Sequence, residues 1–515
     1  MNLKVRTWQT LRKWTQRISI LMFVVLLVMS RSPGENVRWA SVFQRLDPLT
    51  TLTATLAGKV VIIGTFVSLI TLLLTLVFGR VWCGWLCPMG TLLDWFKPKY
   101  LRSTDKVQVA EKWRSVKYFL LIFLLVAALL GNQSLLIFDP ITVMTRFLAT
   151  GLWPAIRFAI LSLESFMYRW NFLWPVLDPL HTNLIQPVFG DVAPVFTLAV
   201  PLFLFIAVIV GLNWVAERFW CRYLCPLGAL LGWISRFAFL RRVVDAEACN
   251  GCRQCARLCP TGTIDARRGF ESDSAECIVC VDCLVDCKQN GTSFQWQVPH
   301  WKPAVSMPYD PTRRQALLVM GSAVVGTALT GVEPILKRQP ADLIRPPGAR
   351  ITDFEKLCIR CSACINVCPT QGLQPCLTEG GWQNLLTPKL MPRLGYCNYN
   401  CTACGTVCPT GAIPLLSLVT KQTTVIGLAR VDRNRCLPWS YATNCIVCEE
   451  ACPLPDKAIH LEEVEGIDSD GNSILLKRPV VVRTLCIGCG MCEQQCPMGG
   501  EAAIRVYSST NLNYF

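Results

Sequence analysis

The residues able to do chemistry in this chain are its cysteines. Cys249, Cys252, Cys255 and Cys259 are spaced C-x2-C-x2-C-x3-C and followed by Pro260. Cys277, Cys280, Cys283 and Cys287 repeat that spacing, with Lys288 in place of the proline. Thiolates at this spacing hold pairs of [4Fe-4S] clusters, and the fourth cysteine of each run ligates the other cluster. Cys249, Cys252, Cys255 and Cys287 are therefore expected to hold one cluster, and Cys277, Cys280, Cys283 and Cys259 the second. A zinc site needs no two interleaved quartets. Four more quartets follow: Cys358, Cys361, Cys364 and Cys368; Cys397, Cys401, Cys404 and Cys408; Cys436, Cys445, Cys448 and Cys452; Cys486, Cys489, Cys492 and Cys496. Pro369, Pro409, Pro453 and Pro497 each follow the last cysteine. Spacing leaves open whether the first of these quartets exchanges its last cysteine with the second or with the fourth. Cys376 is left over and is expected to be structural.

Four other cysteines lie in a repeat. Residues 80–96 read RVWCGWLCPMGTLLDWF and residues 218–234 read RFWCRYLCPLGALLGWI, identical at ten of 17 positions. An internal repeat outranks other signals for architecture. Pro88 and Pro226 are suited to a first helical turn, which places Cys87 and Cys225 at helix N-termini, where the dipole favours a thiolate. Arg80 and Arg218 add positive charge nearby. If the copies pack about a pseudo-twofold axis, Cys83, Cys87, Cys221 and Cys225 converge, enough for one tetrahedral metal or one iron–sulfur site. The plainer alternative is that they are small packing residues. The count closes: 24 cysteines in six quartets, four in the repeats and one over make 29.

The elements that position these cysteines divide into two kinds. Hydrophobic residues are 52% of the 515 and the mean hydropathy is +0.38, as in a membrane protein. The net charge of +15 is not read as a nucleic-acid footprint, because much of it flanks apolar runs as the positive-inside rule requires. Lys4, Arg6, Arg12, Lys13 and Arg17 precede the apolar run Ile18–Met29, taken as a first membrane helix. Further spans are expected at about 57–79, 117–131 and 192–214. The second and fourth end at the two CxxxCP motifs. Arg80, Lys97, Lys99, Arg102, Lys106, Lys112, Arg114 and Lys117 then fall on the side of the N-terminus, with Arg218, Arg222, Arg236, Arg241 and Arg242. The stretch 147–168, interrupted by Arg157 and Glu164, is read as interfacial or re-entrant within an outer insertion covering 132–191.

Asp47-Pro48 and Asp139-Pro140 echo each other on the expected outer side, and Asp178-Pro179 and His181 lie in the insertion. Asp-Pro commonly starts a turn or helix. The sharper reading makes Asp47, Asp139 or His181 a proton acceptor, since ionisable groups near membrane depth are functional suspects. Thr312-Arg313-Arg314 opens a mild apolar run, Ala316–Val332, in the manner of a twin-arginine export signal, although Lys337, Arg338, Arg345 and Arg350 after it weaken that reading. Asp468–Asn472 reads as a turn between strands 459–464 and 473–482.

The expected fold is a membrane α-helical bundle of four spans plus one linker span, with α+β bacterial-ferredoxin-type [4Fe-4S] domains. Its domains are 1–242 with the CxxxCP repeats, 243–300 as a two-cluster ferredoxin, 301–350 as the linker helix and 351–515 as a four-cluster ferredoxin. No Walker, Rossmann or hydrolase signature occurs, and His181, His300 and His460 stand in no haem-attachment motif.

Residues 1–300 resemble the NapH family in their spans, CxxxCP motifs and two quartets. Residues 310–515 resemble NapG and MauM, through the T-R-R signal, Arg345-Pro346-Pro347-Gly348-Ala349, C-I-R-C-S-A-C at 358–364 and C-P-L-P-D-K-A-I at 452–459. The resemblance implies a quinol dehydrogenase of the bacterial cytoplasmic membrane. In it, quinol would be oxidised at Cys83, Cys87, Cys221 and Cys225, and electrons would pass through six [4Fe-4S] clusters to a periplasmic cytochrome or terminal reductase. The first two clusters would lie on the cytoplasmic side and the last four on the periplasmic side. The fusion of two subunits in one chain departs from the family and leaves the terminal acceptor and the direction of flow open. A CcoG-like copper reductase and assembly factor shares CxxxCP and a ferredoxin segment, but has no need of so long a wire. A redox sensor would lack a signalling domain here.

Overall fold

The computed structural model describes residues 2–31, 39–62, 64–97, 111–189, 196, 198–285, 287, 289–298, 312–336, 343–349, 353–377, 379–467 and 473–508. Arg38, Lys99, Arg102, Lys106, Lys288, His300, Lys337, Arg338, Arg350 and the 468–472 turn lie outside the described residues. The chain forms two units. One is Met1–Val28, Ser41–Leu152 and Leu198–Leu329; the other is Met29–Ala40, Trp153–Thr197 and Thr330–Phe515.

The first unit is a helical half carrying a small α+β domain, and its duplication is visible in the elements. Asp47 caps the Pro48–Gly58 helix by accepting from the Leu49 N–H, and Asp139 caps Pro140–Phe147 by accepting from the Thr142 N–H. Each aspartate satisfies a donor that a helix start leaves orphaned, and each proline sits where its missing N–H costs nothing. The copies end alike, in π turns at Trp82–Leu86 and Trp220–Leu224 followed by helices Pro88–Trp95 and Pro226–Ser235. From aspartate to first cysteine the second copy is 46 residues longer than the first. That nearly matches segment 153–197, which belongs to the second unit.

The expected spans are altered in detail. The stretch 57–79 is not one helix: the chain breaks after Gly58, Lys59 takes φ 51°, and a new helix runs Gly64–Phe78. Ser115–Leu129 and Ala199–Gly211 have 15 and 13 residues, short of the ~20 that cross a hydrocarbon core. Among the described residues one helix is long and apolar enough to do so, Pro140–Met167, with 28 residues. It includes most of the stretch read from sequence as interfacial, which is thus long and apolar enough to cross a membrane. Its π turn at Leu148–Leu152 precedes Pro154, and such a turn accommodates a missing backbone donor. Arg157 and Glu164 are buried and so do not interrupt it. The linker helix forms as Arg313–Leu336.

The 243–298 domain is closed by antiparallel strands Leu240–Val244 and Thr292–Trp296, with Leu240 opposite Trp296. It meets the first CxxxCP turn at backbone distance: a Cβ on Gly84 would lie 2.2 Å from the Ile278 carbonyl oxygen.

Among its described residues the second unit holds three strand pairs. Leu373–Pro375 pairs with Pro388–Leu390, Gly427–Val431 with Ile504–Ser508, and Ile459–Ile467 with Ser473–Val481. The last is the hairpin expected around the 468–472 turn. Ser30 and Arg31, just past the Asn2–Met29 helix, hold Asn366 at 2.9 Å each. Asn366 lies on the Ala363–Val367 helix, which also bears Cys364.

Only glycine permits the approach of Ile278 to residue 84. Gly84→Ala is expected to destabilise the docked domain by about 1–3 kcal/mol, measured by denaturant unfolding followed at the iron–sulfur absorbance. Gly211→Ala, whose added methyl meets nothing within 4 Å, should be near neutral in the same assay.

Candidate functional site

The four repeat cysteines are all buried and they converge. Cys87 lies in the field of Cys83 and Cys221, and Cys225 in that of Cys221, Cys83 and Cys87. The packing is reciprocal. Arg218, from the second copy, donates to the Cys83 carbonyl at 3.0 Å and stands 3.5 Å from where a Cβ on Gly90 would sit. Arg80, from the first copy, stands 2.7 Å from where a Cβ on Gly228 would sit. Each arginine occupies the space that the other copy's glycine leaves open.

Cys87 and Cys225 sit at helix N-termini as expected, and the Gly228 N–H donates to the Cys225 sulfur at 3.2 Å. The expected gain of thiolate character does not follow. Burial, with the neighbouring thiols after it, pushes the Cys87 and Cys225 thiols up, and burial raises Cys221 as well. Desolvation outweighs the dipole here, and a bound cation is what would favour four thiolates at such a place. Among the described residues no three His, Cys, Asp or Glu side chains close on a single metal ion. One tetrahedral ion with bonds of ~2.3 Å requires sulfurs within about 4 Å of each other. A four-iron cube takes each thiolate on its own corner and accepts a wider set. The donors fit a cluster better than a lone ion.

The neighbouring domain is fixed directly onto this site. Glu276, one residue before Cys277, is 1% exposed and takes Arg80 at 3.1 Å, Lys117 at 2.6 Å and the Tyr118 hydroxyl at 3.2 Å. Trp85 donates its indole N–H to the Val279 carbonyl at 3.0 Å. Arg114 bonds the Thr261 carbonyl at 2.9 Å and Arg222 bonds the Pro260 carbonyl at 3.0 Å, which pins the loop after Cys259. Arg12 reaches Asp94 at 2.8 Å and the Gly84 carbonyl at 3.2 Å, and Arg218 bonds both oxygens of Asp94. Arg218 lies in the fields of both Cys221 and Cys280. Several cations assigned from sequence to a basic flank thus serve as buried anchors.

Five of the six last cysteines lie with the other quartet of their pair. Cys259 stands with Cys277, Cys280 and Cys283, as the spacing predicts, and Cys255 with Cys249 and Cys252. In the second unit Cys408 joins Cys358, Cys361 and Cys364. An apolar hollow is lined by Cys368, Cys397, Cys401 and Cys404. Another is lined by Cys436, Cys445, Cys448 and Cys496, and Cys452 joins Cys486, Cys489 and Cys492. The alternative in which the first tail quartet exchanges with the fourth is excluded. Burial, with nearby thiols after it, pushes Cys448 up to about 12, so these quartets too await positive charge. Four cysteines around an apolar hollow fit a [4Fe-4S] cluster. The Cys397 N–H donates to the Cys489 carbonyl at 2.8 Å. The four groups therefore follow one another in the order Cys358, Cys397, Cys486, Cys436, each group named by the first cysteine of the run that supplies three of its members.

Asp47 and Asp139 are fully buried and lie within hydrogen-bond reach of each other. One oxygen of each is taken by its helix cap; Oδ2 of Asp47 and Oδ1 of Asp139 have no donor among the described residues. Two carboxyls so placed hydrogen-bond only if they share a proton. His181 is elsewhere, in the other unit, paired with Glu164 at 2.7 Å. Cys376 is fully buried and bonds Glu379 at 3.6 Å, a structural role as expected. Sequence reasoning missed Asp94 and Glu276. Asp94 carried one faint signal, being a charge inside the repeat where the other copy has Gly232.

Two tests follow from this geometry. Glu276→Gln leaves Arg80 and Lys117 buried without a counter-charge, and should cost about 3–5 kcal/mol in denaturant unfolding. Against its own burial, Lys117 and Arg80 hold the Glu276 carboxyl down at about 2, below its ordinary 4.5. Its stabilisation is therefore fully present above pH 4.5 and lost as pH falls towards about 2. Cys496→Ser should remove the cluster signal of the Cys436 group and spare that of the Cys486 group, read by EPR and iron content; the reverse holds for Cys452→Ser.

The comparisons agree with the cysteine chemistry. A family model described as a 4Fe-4S binding domain matches residues 60–103 and 198–244, one over each CxxxCP copy. A second 4Fe-4S binding domain model matches 242–265, 351–374 and 479–500. The methylamine utilization ferredoxin-type protein MauM of Methylobacillus flagellatus is 35% identical over 201 residues, covering 38% of this chain and 79% of that protein. The ferredoxin-type protein NapG of Escherichia coli is 33% identical over 189 residues, 36% of this chain and 79% of that protein. No solved structure matches. The chain is an iron–sulfur electron-transfer protein and belongs to the family of ferredoxin-type proteins that includes MauM and NapG.

Proposed function

We propose that this chain is a membrane-bound quinol dehydrogenase, a NapH-like half fused to a NapG/MauM-like half, anchored in the bacterial cytoplasmic membrane. One observation carries the reading: four buried cysteines converge between two buried arginines, directly against the loop that bears Cys277, Cys280 and Cys283. An electron arriving at the CxxxCP cysteines would meet the first ferredoxin domain with no intervening solvent. Six [4Fe-4S] clusters, when bound, supply one-electron carriers.

The chain's own residues do the rest. Quinol oxidation releases two electrons and two protons. The Asp47–Asp139 pair, sharing one proton, accepts a further proton and returns it to the outer aqueous face before taking the next, in step with single-electron departure. Arg80 and Arg218 hold positive charge at the cysteines, which favours the reduced, more negative state of whatever they ligate. The Cys358-to-Cys436 series then provides an exit towards a periplasmic cytochrome or reductase, with the first two clusters on the cytoplasmic side.

The test is anaerobic mixing of the oxidised, cluster-loaded protein with a reduced menaquinone analogue, followed by absorbance and EPR. Rapid reduction lost in Cys87→Ser and Cys225→Ser is the expected result. Asp139→Asn should slow it by about a hundredfold while dithionite still reduces every cluster. Failure of quinol to reduce any cluster, with copper reduction intact, would replace this reading with that of an assembly factor.

A further inference from the structure

The two ends of the second unit's cluster series differ in what covers them. At the Cys358 end, the Ala363–Val367 helix is held by Ser30 and Arg31 through Asn366. At the Cys436 end there is a groove with about 1800 Å³ of open space. Val431 and Pro479 line both this groove and the hollow that Cys436, Cys445, Cys448 and Cys496 also line. Trp439 also lines the groove, and its backbone N–H donates to the Cys436 carbonyl at 3.0 Å. Cluster hollow and groove are thus two sides of one thin wall.

The groove is cationic. Arg430, Arg433, Arg483 and Arg505 line it against two acids, Asp432 and Glu501. Arg433 and Arg478 stack on Trp439 at 4.2 and 4.8 Å, Arg478 from just outside the groove lining. Arginine is suited to protein contacts because its guanidinium is weakly hydrated and pairs with carboxylates in a fork. The groove is too open to enclose a small anion, which needs convergent donors. A transient redox encounter needs only a small charged patch over the donor centre.

We infer that this arginine groove is the docking surface for the acidic face of a redox protein, and that the Cys436 group is the exit of the series. One electron leaves the reduced cluster per encounter and reduces the partner's oxidised metal; no proton moves. The docking surface follows from the geometry alone, and only its role as exit rests on the proposed outward flow.

The test uses the full cluster-loaded protein and two probes, an acidic plastocyanin and a basic cytochrome c. Binding is measured by calorimetry, and the rate of oxidation of the dithionite-reduced protein by stopped flow. Plastocyanin should bind, and its affinity should weaken at least about tenfold between 20 and 200 mM salt. Arg433→Glu with Arg478→Glu, and separately Arg430→Glu with Arg483→Glu, should each abolish that binding, and Arg433→Lys with Arg478→Lys should largely restore it. The second pair keeps the test valid if the first disturbs the cluster. Equal binding of both probes, or plastocyanin binding unchanged in the second pair, would overturn the docking surface. Binding as expected but without faster oxidation would overturn the exit role. Loss of quinol reduction with plastocyanin binding intact would bear on the proposed function alone.

Discussion

A carboxylate sealed from water stays ionised only if cations reach it, and Glu276 is such a carboxylate. Arg80, from the turn before the first CxxxCP motif, and Lys117, from the Ser115–Leu129 helix, come to it from more than 150 residues earlier in the chain. Because it immediately precedes Cys277, satisfying that charge also sets where a cluster-binding loop lies. Arg80 is simultaneously the side chain that fills the gap over Gly228, so one ion pair ties the first ferredoxin domain to the pseudo-symmetric centre of the helical half. Asp94 does the same from the other side, through Arg12 and Arg218. Such pairs add little net stability over an apolar core, but neither partner tolerates losing the other.

The second constraint is the thiol. Buried sulfur is pushed towards its neutral form at the CxxxCP cysteines and the ferredoxin quartets alike, by the same cause. The polypeptide therefore arranges donors whose charge is completed by iron. The π turns contribute by widening the backbone between Cys83 and Cys87 and between Cys221 and Cys225, while Pro88 and Pro226 start the following helices cleanly. A further outcome of the duplication is that Asp47 and Asp139, each an ordinary helix cap taken alone, face each other as an unusual pair.

Much of this was legible in the sequence. Quartet spacing gave the ligands and the exchange within the first ferredoxin pair, because iron geometry leaves few solutions. The repeat foretold the convergence of four cysteines, and Asp-Pro foretold the two caps. What stayed hidden depends on partners distant in the chain. Lys117 and Arg114 read as flanking charges because Glu276 and the 260–262 loop are invisible to a local window. The break at Lys59 is a left-handed cap inside an apolar run, which hydropathy does not register. Arg157 and Glu164 interrupt the apolar run in sequence, and their burial depends on packing that a local window does not show. The tail quartets offered two pairings of equal spacing, and only packing of the segments between them chose one.

The exchange of fourth cysteines also has a consequence in time. A ribosome makes this chain from one end, yet the site opened by Cys249 cannot close until Cys287 has emerged, nor that of Cys358 until Cys408, nor that of Cys436 until Cys496. Each pair of sites is left half-built through the synthesis of some forty to sixty residues, and the two then become complete almost together. Iron loading is consequently a joint event for each pair, and a chain halted before residue 496 would hold a set of incomplete, oxygen-sensitive thiols that nothing within it can seal.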